Sequence, residues 1–376
     1  MVNLLPVTPL GLRDFFARRN QPAPEPGPQL GTQPGQQQQH QQQQPKNPLT
    51  GVPSTAELEA YPPPASFVVQ GEVCDQKQSP LFSKIPPEIR NEIFRLALRE
   101  YFPEGREWDA QGMGQTENAG YGNVKETASY VKRPGYEGLK TVDTDLLRTC
   151  KRVYEETKML PLQDLEICFY MGHKERVPKY YTMTPYTGMN TYAHPRMNWF
   201  KPEHWARISH FHVFGQMYAL RQGFRGLFRH TQERACHPAS LTLTLRYTDW
   251  WYWESNDPIY PILPQRFLPM ADIEIPSTVQ EMSVEFESIE PKLKELEGVV
   301  ADMFQRKDHW VWKRRDGRVL KVCGRGVEGD GVRTWRWTGP ARFGGRSERF
   351  AHHGEGEEMG YVVKVVTWRL VDQDEE

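Results

Sequence analysis

The 376-residue sequence is poor in cysteine, has no long apolar run and carries no excess of charge of either sign. Its five cysteines are scattered and form no C-x-x-C pair, which argues against a disulfide framework or a structural zinc site and predicts a reducing compartment. The apolar run YVVKVV is interrupted by Lys364 and is far shorter than the roughly 20 residues of a membrane-spanning helix. A net charge of −1 argues against binding to nucleic-acid phosphates, which requires clustered Lys and Arg. We therefore expect a cytoplasmic or nuclear protein with no membrane and no nucleic-acid partner.

The N-terminal region, residues 1–79, is rich in Pro, Gln and Gly and includes the glutamine-rich run GQQQQHQQQQP at 35–45. Such a composition buries too little apolar surface to offset the entropy that is lost on ordering. We predict that this region is disordered. The folded domain is expected at 80–372, with a helical part at about 80–161 and a strand-rich part at about 162–372.

One segment of this region, LGLRDFFARR at 10–19, differs from its surroundings. Leu12, Phe15 and Phe16 have the spacing of the apolar plug in peptides that bind sliding clamps, but Pro9 stands where that motif has Gln. The favoured interpretation is an apolar segment that makes nonspecific contacts, or one that docks back on the folded domain. The early prolines also interrupt any amphipathic transit helix, so no targeting peptide is predicted.

The stretch IPPEIRNEIFRLAL at 85–98 predicts a helix with a wide apolar arc. Its two prolines suit a helix start, since the missing N–H of proline is not needed in the first turn. At about 100° per residue, the apolar side chains fall on two adjoining faces. The first face holds Ile89, Ile93, Leu96 and Ala97, and the second holds Phe94 and Leu98. One core contact needs less apolar surface, so the second contact is either a partner protein or, as slightly favoured, the strand-rich body.

Downstream of this helix, strand patterns alternate with helix patterns. Helices are predicted over 146–160, 217–230 and 291–304, strands over 165–171, 208–214, 241–248, 282–286 and 361–370, and a type I′ hairpin turn at Asp316-Gly317. The Gly-rich and polar residues 100–141 predict a long surface insertion. The fold class predicted is α+β, with an irregular, solenoid-like sheet covered by helices and a plain α+β sandwich as the alternative.

Two short motifs that could carry chemistry have simpler interpretations. The G-x-G-x-x-G pattern at Gly324, Gly326 and Gly329 is followed by the strand-like VRTWRWTGP, whereas a dinucleotide site needs a helix there. It is therefore interpreted as a flexible loop. Cys236 and His237 would be a poor nucleophile and base pair, because adjacent side chains on a strand point to opposite faces.

Four histidines lie close together in the sequence and raise the question of a metal site. His210 and His212 share one face of a predicted strand, with His194 and His204 upstream, but no Asp, Glu or Cys follows at a recognisable ligand spacing. A solvent-facing or hydrogen-bonded pair is the favoured interpretation. No catalytic, metal or cofactor site, and no cofactor, is predicted.

The stretch TDWWYWES at 248–255 concentrates three of the 11 tryptophans: Trp250, Trp251 and Trp253. Aromatic side chains dominate interaction hot spots because they bury much area with little loss of conformational entropy. Packing at the end of the sheet is the favoured interpretation. The alternative hypothesis is that at least one of these tryptophans is exposed and forms part of a partner surface.

Two stretches carry a family resemblance. IPPEIRNEIFRLAL resembles the first helix of the F-box, which has the form Leu-Pro-x-Glu-hydrophobic with a second hydrophobic pair one turn later. The matching residues are Ile85, Pro86, Glu88, Ile89, Ile93 and Phe94. LLRTCKRVYEET is similar to the later F-box helix, with Cys150 at its common cysteine. Together with LTLRYTDWWYWE and the terminal VVKVVTWRL, these stretches make the chain look, over roughly 80–372, like a large group of uncharacterised fungal proteins that begin with such an F-box-like element.

This resemblance implies a function that the residues alone do not. F-box helices bind the Skp adaptor of a cullin-type ubiquitin ligase, and the rest of the chain holds a target protein. The implied adaptor-binding residues are Ile85, Pro86, Ile89, Ile93, Phe94 and Leu96. The expectation is thus a non-enzymatic interaction protein with an unknown target. The alternatives are a fungal scaffold domain with an internal helix, or an enzyme whose site is assembled from distant residues.

Overall fold

The computed structural model describes residues 72–101, 130–136, 140–178, 181–184, 190–259, 273–343 and 350–370. They belong to a compact unit that spans Glu72–Glu376. The predicted disorder up to residue 71 and the LGLRDFFARR segment lie outside the described residues. So does most of the predicted insertion at 100–141.

Seven α-helices have both ends within the described residues. They are α1 (Pro80–Ser83), α2 (Pro87–Ala97), α3 (Lys151–Thr157), α4 (Leu160–Gln163), α5 (Pro202–Trp205), α6 (Leu220–Glu233) and α7 (Leu293–Gln305). In the parts of the chain that the structure describes, no helix has the length and apolar character needed to cross a membrane.

The strands follow the same order along the chain. They are β1 (Glu100–Tyr101), β2 (Thr141–Val142), β3 (Glu166–Met171), β4 (Thr182–Met183), β5 (Thr191–Ala193), β6 (His210–Gly215), β7 (Ser240–Leu245), β8 (Glu281–Ile289), β9 (Trp312–Lys313), β10 (Val319–Val322), β11 (Val327–Glu328), β12 (Gly331–Pro340) and β13 (Glu358–Leu370). The predicted strands and the helices α2, α6 and α7 are therefore confirmed, with shifts of a few residues at their ends.

Within the described residues, all strands except the β1–β2 ribbon form one 11-stranded sheet. Its order is β11-β12-β13-β8-β7-β6-β3-β5-β4, with β10 and β9 attached beside β13. The four central strands β3, β6, β7 and β8 run parallel, as crossover connections require. On the other side of β8 the sheet continues through antiparallel β13 and β12. The predicted α+β class is confirmed, and the sheet is mixed.

The pleat of the central strands separates an apolar face from a polar face. The apolar face contains Ile167, Phe169, Phe211, Val213, Leu241, Leu243, Met282, Val284 and Phe286, all of which are buried. Helix α7 packs on β8 and β13. Helix α6 approaches β3 closely at Gly223, where an added Cβ would lie 2.4 Å from Sδ of Met171. This contact explains why a glycine is tolerated inside α6.

The N-terminal helices form a small layer of their own. Helix α2 packs against α3 and α4. Phe94 of this helix and Leu98, which follows it, are 0% and 2% exposed. Arg90 of α2 donates to Glu156 of α3 over 3.2 Å. Its guanidinium lies 4.9 Å from the centre of the Phe82 ring. One side of α2 is therefore fixed by apolar and charged contacts together.

The predicted helix over 146–160 is divided at Cys150. This residue is extended, with φ of −159°, and its Sγ accepts a hydrogen bond from the Val153 N–H at the start of α3. Residues Leu146–Arg148 form a separate 3-10 turn before it. The helix α3 ends at Thr157, before Pro161, which lies in the first turn of α4, where no N–H is required.

The predicted hairpin turn and the glycine motif both lie within the described residues. The β9–β10 hairpin is confirmed, but only Gly317 of the Asp316-Gly317 pair has positive φ, at 83°. A type I′ turn needs positive φ at both residues, so this feature of the prediction is wrong. The glycine motif that begins at Gly324 leads into strand β12 and not into a helix, as expected.

Adjacent residues of α2 should respond very differently to truncation. Phe94→Ala leaves a cavity between α2 and the helices beneath it, and we expect the free energy of unfolding to fall by about 3–5 kcal/mol. Ile93→Ala removes a side chain that is 42% exposed and should change it by less than about 0.5 kcal/mol. Urea denaturation followed by circular dichroism measures both. Equal losses in the two variants would contradict the assignment of the two faces.

Candidate functional site

The residues implied as adaptor-binding divide between two sides of α2. Ile89, Ile93 and Leu96 are 56%, 42% and 59% exposed and form one apolar stripe, which we call the α2 stripe. Phe94 does not belong to it, because its side chain is fully buried in the helical layer. Ile85 is half-buried and Pro86 is exposed just before the helix.

The tryptophans of the stretch 248–255 also divide. Trp250 is buried and its Nε1 donates to the Glu287 carbonyl over 2.8 Å. Trp253 is buried against the ring of His353. These two therefore stabilise the end of the sheet and are not surface residues. Trp251 is 42% exposed, and its neighbour Tyr252 is 64% exposed.

The polar face of the sheet contains a constellation of charged and hydrogen-bonding side chains that the sequence analysis does not predict. Parallel register places Glu166 of β3 beside His210 of β6, with His212 two residues further along the same face. Oε1 of Glu166 lies 2.9 Å from Nδ1 of His212 and 3.3 Å from Nε2 of His210. Oε2 lies 3.0 Å from the Tyr136 hydroxyl and 3.3 Å from Nζ of Lys140. Each carboxylate oxygen thus has its own set of partners.

Hydroxyl groups of the next strand, β7, hold the outer nitrogens of the two histidines. Nδ1 of His210 is 2.6 Å from the Ser240 hydroxyl, and Nε2 of His212 is 2.7 Å from the Thr244 hydroxyl. Thr244 in turn lies 2.7 Å from Oε2 of Glu285 on β8. A continuous hydrogen-bonded chain therefore crosses four adjacent strands.

Arg133 closes the chain at its far end. Its guanidinium is 2% exposed, and Nη2 donates to Glu285 over 2.7 Å. Nε lies 3.5 Å from Glu287, and Nη1 has no hydrogen-bond partner among the described residues. Residues 130–136 thus cover part of the sheet. The prediction of a surface insertion over 100–141 is wrong for this part, because Arg133 and Val131 are buried.

Burial and hydrogen bonding shift the pKa values of Glu166 and His212 in opposite directions. Burial raises the pKa of Glu166, but hydrogen bonds from His210 and His212 outweigh it and hold the pKa below its ordinary value. Burial lowers the pKa of His212, and the neighbouring Glu166 only partly opposes this. These effects favour the ionised form of Glu166 and the neutral form of His212.

Sequence reasoning missed this constellation because Glu166 lies 46 residues before His212. Ligand spacing along one segment cannot reveal a partner that a parallel neighbour supplies. The available signal was the shared alternation of LEICFYM and ISHFHVF, which places a polar residue at equivalent positions of two adjacent strands. The other two histidines lie elsewhere: His204 accepts from the Lys201 N–H in α5, and His194 follows β5.

The hydroxyl group of Thr244 should contribute measurably to the stability of the folded protein. Thr244→Val keeps the shape but leaves His212 and Glu285 without a shared partner, and we expect the free energy of unfolding to fall by about 1–3 kcal/mol. Thr242→Val is the matched control, since that hydroxyl is only half-buried and lies 3.4 Å from His210. Denaturant unfolding of both variants measures the difference. An equal response would exclude a special role for Thr244.

Glu100 lies on the edge of the same polar region and should make the stability of the protein depend on pH. Burial raises its pKa to about 7, with Lys140 opposing and Glu166 adding to the shift. The ordinary value is about 4.3, so between these values the folded state holds the extra proton and stability falls as the pH rises. Glu100→Gln cannot ionise. Its free energy of unfolding should match that of the wild type near pH 4 and exceed it increasingly up to pH 8.

Denaturant unfolding at several pH values tests this expectation, with Glu233→Gln at the exposed end of α6 as the control. A difference between Glu100→Gln and wild type that stays constant from pH 4 to pH 8 would contradict it.

The molecule thus presents the α2 stripe on its helical layer and a polar constellation on its sheet. The first is apolar and exposed, and the second is charged and largely covered. No protein-family model, no curated protein and no solved structure matches this chain.

Proposed function

We propose that this chain is a non-catalytic interaction protein that acts as an F-box-like substrate adaptor in the cytoplasm or nucleus. In this proposal the α2 stripe binds the Skp adaptor of a cullin-type ubiquitin ligase, and the strand-rich part holds a target protein. The observation that carries the proposal is the α2 stripe itself. Three large apolar side chains recur at i, i+4 and i+7 on a helix whose opposite side is already fixed to the fold.

The two-sided character of α2 supports a protein partner. A helix that needed only its internal contact would present polar residues at Ile89, Ile93 and Leu96, since exposed apolar side chains gain nothing from water. Helix-in-groove recognition uses this spacing of apolar anchors. The stripe is flanked by the exposed Glu92–Arg95 ion pair, a polar rim of the kind that surrounds apolar interface centres.

The surface at the end of the sheet supports a second contact. Tyr218, Trp251 and Tyr252 are exposed and adjacent, with ring centres 6.3 Å apart for Tyr218 and Trp251 and 6.2 Å apart for Trp251 and Tyr252. Tyr252 has positive φ of 55°, a conformation that large residues rarely adopt, and Trp250 and Trp253 near it are buried. We propose this aromatic surface as part of the target-binding region.

The alternative is a scaffold protein without a role in ubiquitin ligation, in which another apolar surface covers the α2 stripe. A second copy of the chain or the LGLRDFFARR segment would be such a cover. Both differ from the adaptor proposal in a measurable way, because neither requires the Skp adaptor.

Substitution of Ile93 tests the adaptor proposal. We expect the full-length chain to bind purified Skp adaptor in a pull-down and in isothermal titration calorimetry. Ile93→Asp should weaken binding at least tenfold, because it introduces a charge at the centre of the stripe. Its melting temperature should stay near that of the wild type, since Ile93 is exposed.

The matched control is Val327→Asp, which places the same charge at an exposed apolar position of β11. It should bind the adaptor like the wild type. Absence of binding both by the wild type and by a chain without residues 1–71, or equal binding by Ile93→Asp, would overturn the proposal. A dimer that Ile93→Asp dissociates would show that a second copy covers the stripe, and adaptor binding gained only after deletion of residues 1–71 would identify the N-terminal segment as the cover.

A further inference from the structure

The constellation on the polar face brings three potential metal ligands together. One potential ligand atom from each of Glu166, His210 and His212 lies within 4.8 Å of the other two. The two distances from Glu166 Oε1 are 2.9 Å and 3.3 Å. Ligand atoms around a tetrahedral zinc ion are about 3.3 Å apart, given metal–ligand distances of about 2.0–2.2 Å. We propose that these three residues bind one divalent ion, Zn²⁺ or a similar first-row transition metal. The ligand atoms would be Oε1 of Glu166, Nε2 of His210 and Nδ1 of His212.

The groups behind the histidines are those that a metal site requires. A ligating imidazole normally uses its second nitrogen to hydrogen-bond a neighbour, which fixes the ring and its tautomer. Here Ser240 holds Nδ1 of His210 and Thr244 holds Nε2 of His212. In both rings the remaining nitrogen is the one that faces Glu166.

The carboxylate is divided in the same way. Both histidines contact Oε1, whereas Tyr136 and Lys140 contact Oε2. Glu166 can therefore bind an ion through Oε1 while its other oxygen stays anchored. The Tyr136 hydroxyl also lies 2.5 Å from Nδ1 of His212, so ion binding replaces that contact and leaves the hydroxyl bonded to Oε2.

The hydrogen bonds of the network, counted with a neutral His212, fit an ion at this place. Three contacts join Glu166, His212, Thr244 and Glu285 in a row, and each needs one hydrogen. A neutral imidazole supplies one and the Thr244 hydroxyl supplies another, so the row is one hydrogen short. The Tyr136 hydroxyl can donate to Nδ1 of His212 or to Oε2 of Glu166, but its hydrogen does not fill the contact between Oε1 and Nδ1. An ion between Glu166 and His212 removes the deficit. The imidazole hydrogen then lies on Nε2 and is donated to Thr244, which donates to Glu285.

Access and ligand type decide which ion fits. The side chains of Glu166 and His210 are 20% and 31% exposed, so an ion can enter from solvent, and His212 at 3% forms the base of the site. Two nitrogens and one oxygen suit zinc and its neighbours in the first transition row, whereas magnesium and calcium prefer oxygen ligands alone. Three protein ligands leave the fourth position of a tetrahedron for water.

Metal titration of the untagged full-length chain tests the proposal. After treatment with a chelator, isothermal titration calorimetry with zinc chloride should show one ion per chain, and cobalt chloride should give the visible absorption of a tetrahedral site. His210→Gln and Glu166→Gln should each weaken zinc binding at least tenfold. Ser240→Ala should weaken it by about tenfold while the three ligands stay in place.

The matched control is His173→Gln, which removes an exposed histidine whose Nδ1 lies 3.6 Å from Glu175. This variant should bind zinc like the wild type. The proposal is overturned if the wild type does not bind zinc. It is also overturned if zinc binding persists unchanged in His210→Gln and Glu166→Gln, because other histidines would then hold the ion. A doubly protonated His212 in nuclear magnetic resonance spectra at pH 7, unaffected by zinc, would show that a proton satisfies the row instead.

Discussion

The register between neighbouring parallel strands is the constraint on which the rest of this structure depends. Side chains alternate strictly between the two faces of a sheet, so a slip of one residue in β6 would place Phe211 among the charges and His212 in the core. The observed register avoids this by aligning Glu166, His210, Ser240 and Glu281 across four strands. The apolar core beneath α6 and α7 and the hydrogen-bonded chain on the other face are two results of the same alignment.

This constraint also explains what could be predicted from the sequence. The alternation of Leu241, Leu243 and Leu245 with threonines indicates a half-buried strand without knowledge of its neighbours, because the period of two is a local property. The two faces of α2 follow in the same way from a period of 3.6, and the structure places Phe94 and Leu98 inside. These features needed no tertiary information.

The remaining features depend on residues that are distant in sequence. Glu166 becomes a partner of His212 only through the pairing of β3 with β6, and no pattern within either segment specifies that pairing. Arg133 lies in a stretch whose glycines indicate a loop, yet its guanidinium is buried beside Glu285. The break at Cys150 depends on a side chain that competes for the N–H at the helix start, an effect that apolar spacing does not record.

Strand β13 has a consequence for how this chain is made. It pairs with β8 over nine positions, and the pair Glu281 and Arg369 is separated by 88 residues. During synthesis, the backbone edge of β8 therefore stays without its neighbour until those residues have left the ribosome. An open strand edge is a template for pairing with other chains. The nascent chain consequently passes through a stage in which the edge of β8 is not yet paired with its final neighbour.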